Sequence, residues 1–534
     1  MRKFYTLTLA ALCSLCFTAT PAVADDHIVG TEVTKKNVLL EDYTGIHCGN
    51  CPDAHKIAAN IVRNHHESVY VMAIHAGSYA VPGRDEIDMR TDEGEQIHNY
   101  FGISGYPSGI LNRTHISDDP NNLVVTRSYW VRMCKEQMAI DAPVNLAMTA
   151  TYDGSTKRLS VTVEGYCNDA SRLNNPRLTI AYLQDNIMGA QQGGLVGEEY
   201  MHQHILRGFV NGLWGEAITG IADGEYFTKT YTIDLPTEVR DVPLIPADMH
   251  LVAYLTNGKE EVQQVTGCKP TYENYDAPLM ATIADPLIPV TKSYAFNFIE
   301  TNIESRSAVT ITSATFDVNY NGQHYTVEWD GELLPGEKKD ISIPFTPPEI
   351  TNSNSLTLTL KALNGQNVTT SSIKGSFGQP IACNPTLSVA IKTNKEAAEN
   401  HFLLRDTEGN IVKEFGPFPQ GEISEVSETV ELEEGKTYCF EVTDEWGDGI
   451  ASPSGRYTLK DSDGTLVAQV MSISYFGSRT FFTTSNPTGI APVSKAGFKP
   501  AERFGIDGVR IGNNQKNTQP YILRSADKTI KILK

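Results

Sequence analysis

The sequence predicts a multidomain chain in which an N-terminal α/β layer is followed by all-β sandwich modules. Three observations lead there. At 534 residues, and with roughly 150 residues per domain, three or four folding units are expected. From Asn37 to about residue 140, strand and helix patterns alternate, whereas beyond it short period-two runs are punctuated by turns. The 42 Gly and 27 Pro supply those turns, and a 40% hydrophobic content supplies several cores.

The elements follow in order. Val38-Leu39-Leu40 opens a short apolar strand, and Ala54, Ile57, Ala58, Ile61 and Val62 recur on one helical face after Cys51. Val69 to Ile74 is an unbroken apolar run, as in a strand covered on both faces. Ile97 and Phe101 mark a helix stopped at Gly102, and Val131, Cys134 and Met138 a last helix. This α/β region occupies residues 35–142. In 143–270, Leu159, Val161, Val163 and then Leu178, Ile180, Tyr182 alternate as in a β-sandwich. The same rhythm, with an Asn321-Gly322 hairpin turn, places an Ig-like sandwich at 278–376. Turn signals at Glu408-Gly409 and Asp463-Gly464 place a third, jelly-roll-like module at 380–486, and residues 487–534 form a tail with little core.

Arg2 and Lys3, the apolar run Leu7 to Phe17, and Ala22-Val23-Ala24 before Asp25 read as an export signal over residues 1–24. No later apolar stretch reaches the roughly 18 residues of a membrane helix. The expected location is therefore the outer membrane, the cell surface or the extracellular space, with any membrane association made without a transmembrane helix. With 64 Asp+Glu against 44 Lys+Arg, a net charge of -20, the chain is a poor partner for nucleic acid. Beyond the signal stand Cys48, Cys51, Cys134, Cys167, Cys268, Cys383 and Cys439, an odd number in an oxidising compartment. Cys383 with Cys439 and Cys167 with Cys268 are plausible pairs, which leaves Cys134 as a buried apolar residue.

Cys48-Gly49-Asn50-Cys51 carries the strongest chemistry, because it follows a strand and opens a helix. Unsatisfied N–H groups and the positive dipole end of a helix stabilise a thiolate, so Cys48 is the attacking sulfur. Cys51, one turn inside, is placed to resolve a mixed disulfide. Against this stand a structural disulfide closing a tight turn, and a zinc site made of His47, Cys48, Cys51 and His55. In the plainer reading His55 is a solvated helix residue. Covalent haem is excluded, since Pro52 rather than histidine follows Cys51.

With Tyr106-Pro107 ahead of the Ser108 to Leu111 strand, this region resembles the thioredoxin fold over about a fifth of the chain. The resemblance implies that Pro107 is cis beside the disulfide and that Tyr106, before it, pairs with substrate backbone. It also implies a buried acid six residues before Cys48, which is Asp42, or Glu41 if the strand is shifted, to take the proton of Cys51. His47 replaces the family's tryptophan before the first cysteine. Protonated near the sulfur, it would favour the thiolate and make the disulfide more oxidising.

Leu183 to Ile187, Gln191, Gly193, and Tyr200 through Arg207 resemble the outer-membrane-protein-28 family of Bacteroidetes, which joins an export signal, a thioredoxin-like domain and a β-sandwich. The resemblance implies a surface setting rather than a reaction. His202 and His204 sit on one side of an expected strand, as metal ligands or as solvated residues. Asp444-Glu445-Trp446-Gly447-Asp448-Gly449 resembles a motif of secreted β-sandwich modules, in which Asp444 and Asp448 would offer oxygens to calcium; the alternative is a glycine turn with solvated acids. The tail, through Ile506 to Val509 and Lys531 to Lys534, resembles a shortened type IX secretion sorting domain.

Two functions fit. One is a secreted or surface-associated thiol-disulfide oxidoreductase acting on protein disulfides or thiols through Cys48, Cys51, Asp42, Pro107, Tyr106 and His47, needing no cofactor, with calcium the one candidate. The other is a surface binding protein or adhesin that uses a silent thioredoxin-like scaffold to hold a surface ligand.

Overall fold

A computed structural model describes residues 27–116, 119, 122–194, 200–276, 278–284, 298–346, 355–376, 380–450, 455–470 and 477–485, with four strands between 502 and 532. The expected export signal lies outside the described residues. The chain is mostly β-sheet, arranged in several sheets.

The first region runs β1 (Val38–Thr44), α1 (Cys51–His65), β2 (Val69–His75), α2 (Asp92–Phe101), β3 (Ser108–Leu111) and α3 (Trp130–Met138). β1 pairs parallel with β2 and antiparallel with β3. Alternation along β1 separates two faces. Val38 and Leu40 join Ala58 and Ile61 of α1 and Trp130 and Cys134 of α3, whereas Leu39 and Tyr43 join Ile97 of α2. α1 carries Pro52 in its first turn, where the missing N–H costs nothing. The Thr91 side chain caps α2 by accepting from the Gly94 N–H, and Gly102 ends that helix in a left-handed conformation.

Next come β4 (Val144–Asp153), β5 (Arg158–Cys167), β6 (Pro176–Gln184), β7 (Ile187–Gly189), β8 (Tyr200–His202), β9 (Ile205–Phe209), β10 (Glu216–Ala217), β11 (Tyr226–Asp234), β12 (Glu238–Val239), β13 (Val242–Pro243), β14 (Met249–Asn257), β15 (Val262–Cys268) and β16 (Thr271–Glu273). One eight-stranded sheet runs β15-β14-β6-β9-β2-β1-β3, with β10 on β6, and so crosses the boundary expected at residue 142. The seam lies between β2 and β9, where Ala73 pairs with Ile205 and its N–H donates to the His204 carbonyl at 2.8 Å. An open edge on β2 would present unpaired backbone groups, and β9 meets that edge at Ala73. The smaller sheet β11-β5-β4-β16 packs beyond the seam, with Leu159, Val161 and Val163 against Leu178, Ile180 and Leu251. On the opposite face one continuous core, from Leu39 and Met72 to Leu183 and Tyr254, spans the seam.

Two further cores follow. One surrounds Phe316, Val318 and Leu358, and its hairpin turns at Asn321 and Gly322, both at positive φ. The other surrounds Phe402, Phe440, Tyr457 and Phe482. Strands Glu502–Gly505, Arg510–Ile511, Tyr521–Arg524 and Thr529–Ile532 form a small antiparallel sheet in the tail.

The two additional disulfides are corrected: Cys167, Cys268, Cys383 and Cys439 are free thiols, whereas Cys134 is unpaired and buried as expected. Cys383 and Cys439 lie in one sheet on strands separated by Gly477–Thr484. Strands two apart stand roughly 9.5 Å from each other, and a disulfide spans less than about 7 Å between Cα atoms. They also face opposite ways, Cys383 into the sandwich core and Cys439 toward Phe298. Cys167 and Cys268 belong to different sheets. Among the described residues no helix is long and apolar enough to cross a membrane.

Candidate functional site

The end of β1 delivers the chain into a turn in which the Cys48 N–H donates to the Gly45 carbonyl at 3.0 Å and the Cys51 N–H to the Cys48 carbonyl at 3.2 Å. α1 starts at Cys51 itself. Cys48 and Cys51 are joined as a disulfide with their Cα atoms 5.4 Å apart. The Tyr106–Pro107 peptide is cis, and because Ser108 pairs with Tyr43, both residues lie at the same end of the sheet as the disulfide turn. The Tyr106 hydroxyl is hydrogen bonded to Nε2 of His98, and its ring leans on Tyr79. His47 Nε2 lies 3.0 Å from an oxygen of Glu86, in the loop between β2 and α2.

β1 parity separates the two candidate acids. Glu41 is on the α2 face, where it takes a bidentate pair of bonds from buried Arg113 at 2.7 and 3.1 Å. Asp42 is on the α1 face, 1% exposed, with one carboxylate oxygen lacking any hydrogen-bond partner. Burial raises its pKa to about 7. Near neutral pH Asp42 is therefore divided between its protonated and its charged form.

A cavity of about 220 Å³ opens beside Asp42, lined among others by His55, Val71, Tyr200, His202 and His204. His55 is not the solvated residue expected. Its ring lies 2.9 Å from Thr44 Oγ1 and 2.9 Å from the Tyr200 hydroxyl, with Nε2 3.8 Å from Asp42. Burial, with the neighbouring His202 and His204, lowers its pKa to about 3. A neutral imidazole donates from one nitrogen and accepts at the other, which suits its place between two hydroxyls. His202 is driven down to about 4 by burial, and burial with His202 and His55 holds His75 well below its usual range. The sequence missed this group because Tyr200 and His202 arrive from across the seam. His202 and His204 also do not share a strand: β8 ends at His202, which lies 3.2 Å from the Ala190 carbonyl, and His204 has a φ of 59°.

The cover over the disulfide was equally hidden. Cys48 is 3% exposed and Cys51 0%. The segment after β7 lies across them: Gln191 Nε2 donates to the carbonyls of Cys48 and Gly45 at 3.0 and 3.2 Å, and the Gln192 N–H donates to the Ile46 carbonyl at 2.7 Å.

Asp444 and Asp448 do come together, with Glu399 as a third carboxylate. A cation already faces them. Lys135 Nζ of α3 lies 2.6 Å from Glu399 and 3.3 Å from Asp448, and stands over the Trp446 ring. Trp446 itself enters the core of α1 and α3 and stacks on His65. Burial, reinforced by Asp448, raises Asp444 to about 6. The turn thus docks against the N-terminal region, with Asp444 buried and Asp448 still exposed.

Residues 94–273 match the sequence family described as outer membrane protein Omp28. That segment begins after the two cysteines and ends with the first sandwich. Among solved structures, HBP35 of Porphyromonas gingivalis is 17% identical, over 64% of this chain and 98% of its own, with a TM-score of 0.36. A domain of the outer membrane lipoprotein Omp28 from the same organism is 22% identical, over 25% and 91%, with a TM-score of 0.19. No curated protein matches the chain.

Proposed function

We propose that this chain, an Omp28-family outer membrane protein over residues 94–273, is a thiol-disulfide oxidoreductase whose working pair is Cys48 and Cys51. The protein is exported and associated with the outer membrane or cell surface. In this reading residues 35–142 are a thioredoxin-like layer, and the tail is a type IX sorting-like segment. The observation that carries it is Asp42: an acid buried on the face of α1, with one carboxylate oxygen lacking a hydrogen-bond partner and a pKa of about 7, is suited to exchange a proton with a neighbouring thiol.

The chemistry is a two-step exchange. The Cys48 thiolate attacks a substrate disulfide, forming a mixed disulfide and releasing one substrate thiolate. Cys51 then loses its proton to Asp42 and attacks Cys48 Sγ, which breaks the mixed disulfide and frees the second substrate thiolate. Two electrons pass from the Cys48/Cys51 dithiol to the substrate, and the reverse sequence oxidises a substrate dithiol. Tyr106 and Pro107 would flank the incoming chain. Disulfide reduction or oxidative refolding by the intact chain, lost in Cys48→Ser, is the supporting result; equal turnover by that variant would contradict it.

A second reading, a surface binding protein with a silent scaffold, is favoured by the cover at Gln191 and Gln192, which leaves Cys48 3% exposed. In the first reading that cover opens for substrate; in the second it never does.

A further inference from the structure

Three neighbouring strands, β14, β6 and β9, end together on one side of the seam. Asp185 follows β6, His204 precedes β9, and His250 is the second residue of β14. The register Met249↔Gln184↔Ile205 fixes this convergence, although 65 positions separate Asp185 from His250 in the chain. Nδ1 of His204 lies 3.4 Å from one Asp185 oxygen, and Nδ1 of His250 lies 3.2 Å from the other. One ligand atom from each residue falls within 4.8 Å of the other two.

We propose that Asp185, His204 and His250 bind a borderline divalent transition-metal ion, with zinc as its probe. Two donors each about 2.0–2.1 Å from a tetrahedral ion stand about 3.3 Å apart, close to the spacing of His204 Nδ1 from one Asp185 oxygen and of His250 Nδ1 from the other. The donor set is two nitrogens and a carboxylate oxygen, suited to zinc and its neighbours rather than to calcium or magnesium. Both Nδ1 atoms are closed off from solvent and neither makes a directed hydrogen bond. An Asp–His pair built only for stability would align those N–H groups on the carboxylate. Asp185 is oriented independently, because Oδ1 accepts the His204 N–H at 2.6 Å and its own N–H donates to the Asp248 carbonyl at 2.9 Å. Such outer contacts fix a ligand before the ion arrives. Water would complete the coordination. The ion would staple three strand ends at the seam, next to the cavity that His204 also lines.

The test is zinc titration of the intact, disulfide-oxidised chain against a chromophoric chelator. One tightly held equivalent is expected, weakened by at least about 100-fold in Asp185→Asn and in His250→Gln. His324→Gln, an exposed histidine paired with Asp317, keeps the site. No held zinc, or the same affinity in the Asp185 and His250 variants, overturns the proposal. Because those variants could lose the fold, wild-type protein is also loaded with cobalt(II). A visible tetrahedral d–d absorption, removed by one equivalent of zinc, supports the site, and a spectrum identical to aqueous cobalt overturns it.

Discussion

Gly193 rests on Gly49 so closely that a β-carbon on Gly193 would stand 2.2 Å from the Gly49 carbonyl oxygen. With φ at 84°, Gly193 occupies a conformation that a side chain resists, in addition to the contact. This approach, with the Gln191 bonds, is how a segment more than 140 residues away covers the disulfide.

The cover should control access. Gln191→Ala removes two side-chain bonds to the disulfide turn, each worth about 0.5–1.5 kcal/mol, so the open population should rise by about 5- to 150-fold. Gly193→Ala should act in the same direction. The rate at which dithiothreitol reduces Cys48–Cys51, followed by alkylation, is expected to rise with little change in melting temperature. Unchanged reduction rates would show that the segment does not gate the pair.

Asp42 makes stability depend on pH. Its folded pKa, about 7, lies above the ordinary 3.8, so between those values the folded state binds more protons than the unfolded one. Stability is then fully present below about pH 4, falls as pH rises toward 7, and levels off above it, a loss of about 4 kcal/mol from this group. Asp42→Asn should therefore be more stable than wild type at pH 8 and similar to it at pH 4, in urea titrations, while slowing the resolving step. Glu41→Gln is the contrast. It leaves the buried Arg113 charge unpaired, so it should cost about 3–5 kcal/mol and leave the resolving rate unaltered in protein that folds.

How much of this was legible follows from where each signal resides. The Cys48 to Cys51 spacing is local, as are the apolar stripe of α1 and the Asn321-Gly322 turn, so all three were readable. Parity in β1 was not: Val38, Leu39, Leu40 and Tyr43 are apolar on both faces, and only Arg113 and α1 reveal which acid lies on which side. The sandwich alternation was equally clear in 143–270, but strand patterns do not state their partners, so the sheet shared by β2 and β9 was invisible. With it were hidden the burial of His55, the cover over Cys48 and the convergence on Asp185. Lys135 and Glu399 are likewise brought together from 264 residues apart.

Calcium would have to displace the Lys135 ammonium. The intact wild-type chain is therefore expected to show little thermal shift with millimolar calcium, and Lys135→Gln to gain one, because ligand binding to the folded form alone stabilises it by mass action. Differential scanning calorimetry with and without calcium checks both. A large wild-type shift would mean that the carboxylates Glu399, Asp444 and Asp448 take the ion despite Lys135.

The most direct measurement is covalent trapping in cysteine variants carrying Gln191→Ala to open the cover. Cys51→Ser leaves Cys48 able to attack but not to be released, so mixed disulfides with partner proteins should accumulate on non-reducing gels, whereas Cys48→Ser should form none. Equal and negligible trapping by both variants would contradict the account, leaving Cys48–Cys51 a structural disulfide in a surface binding protein.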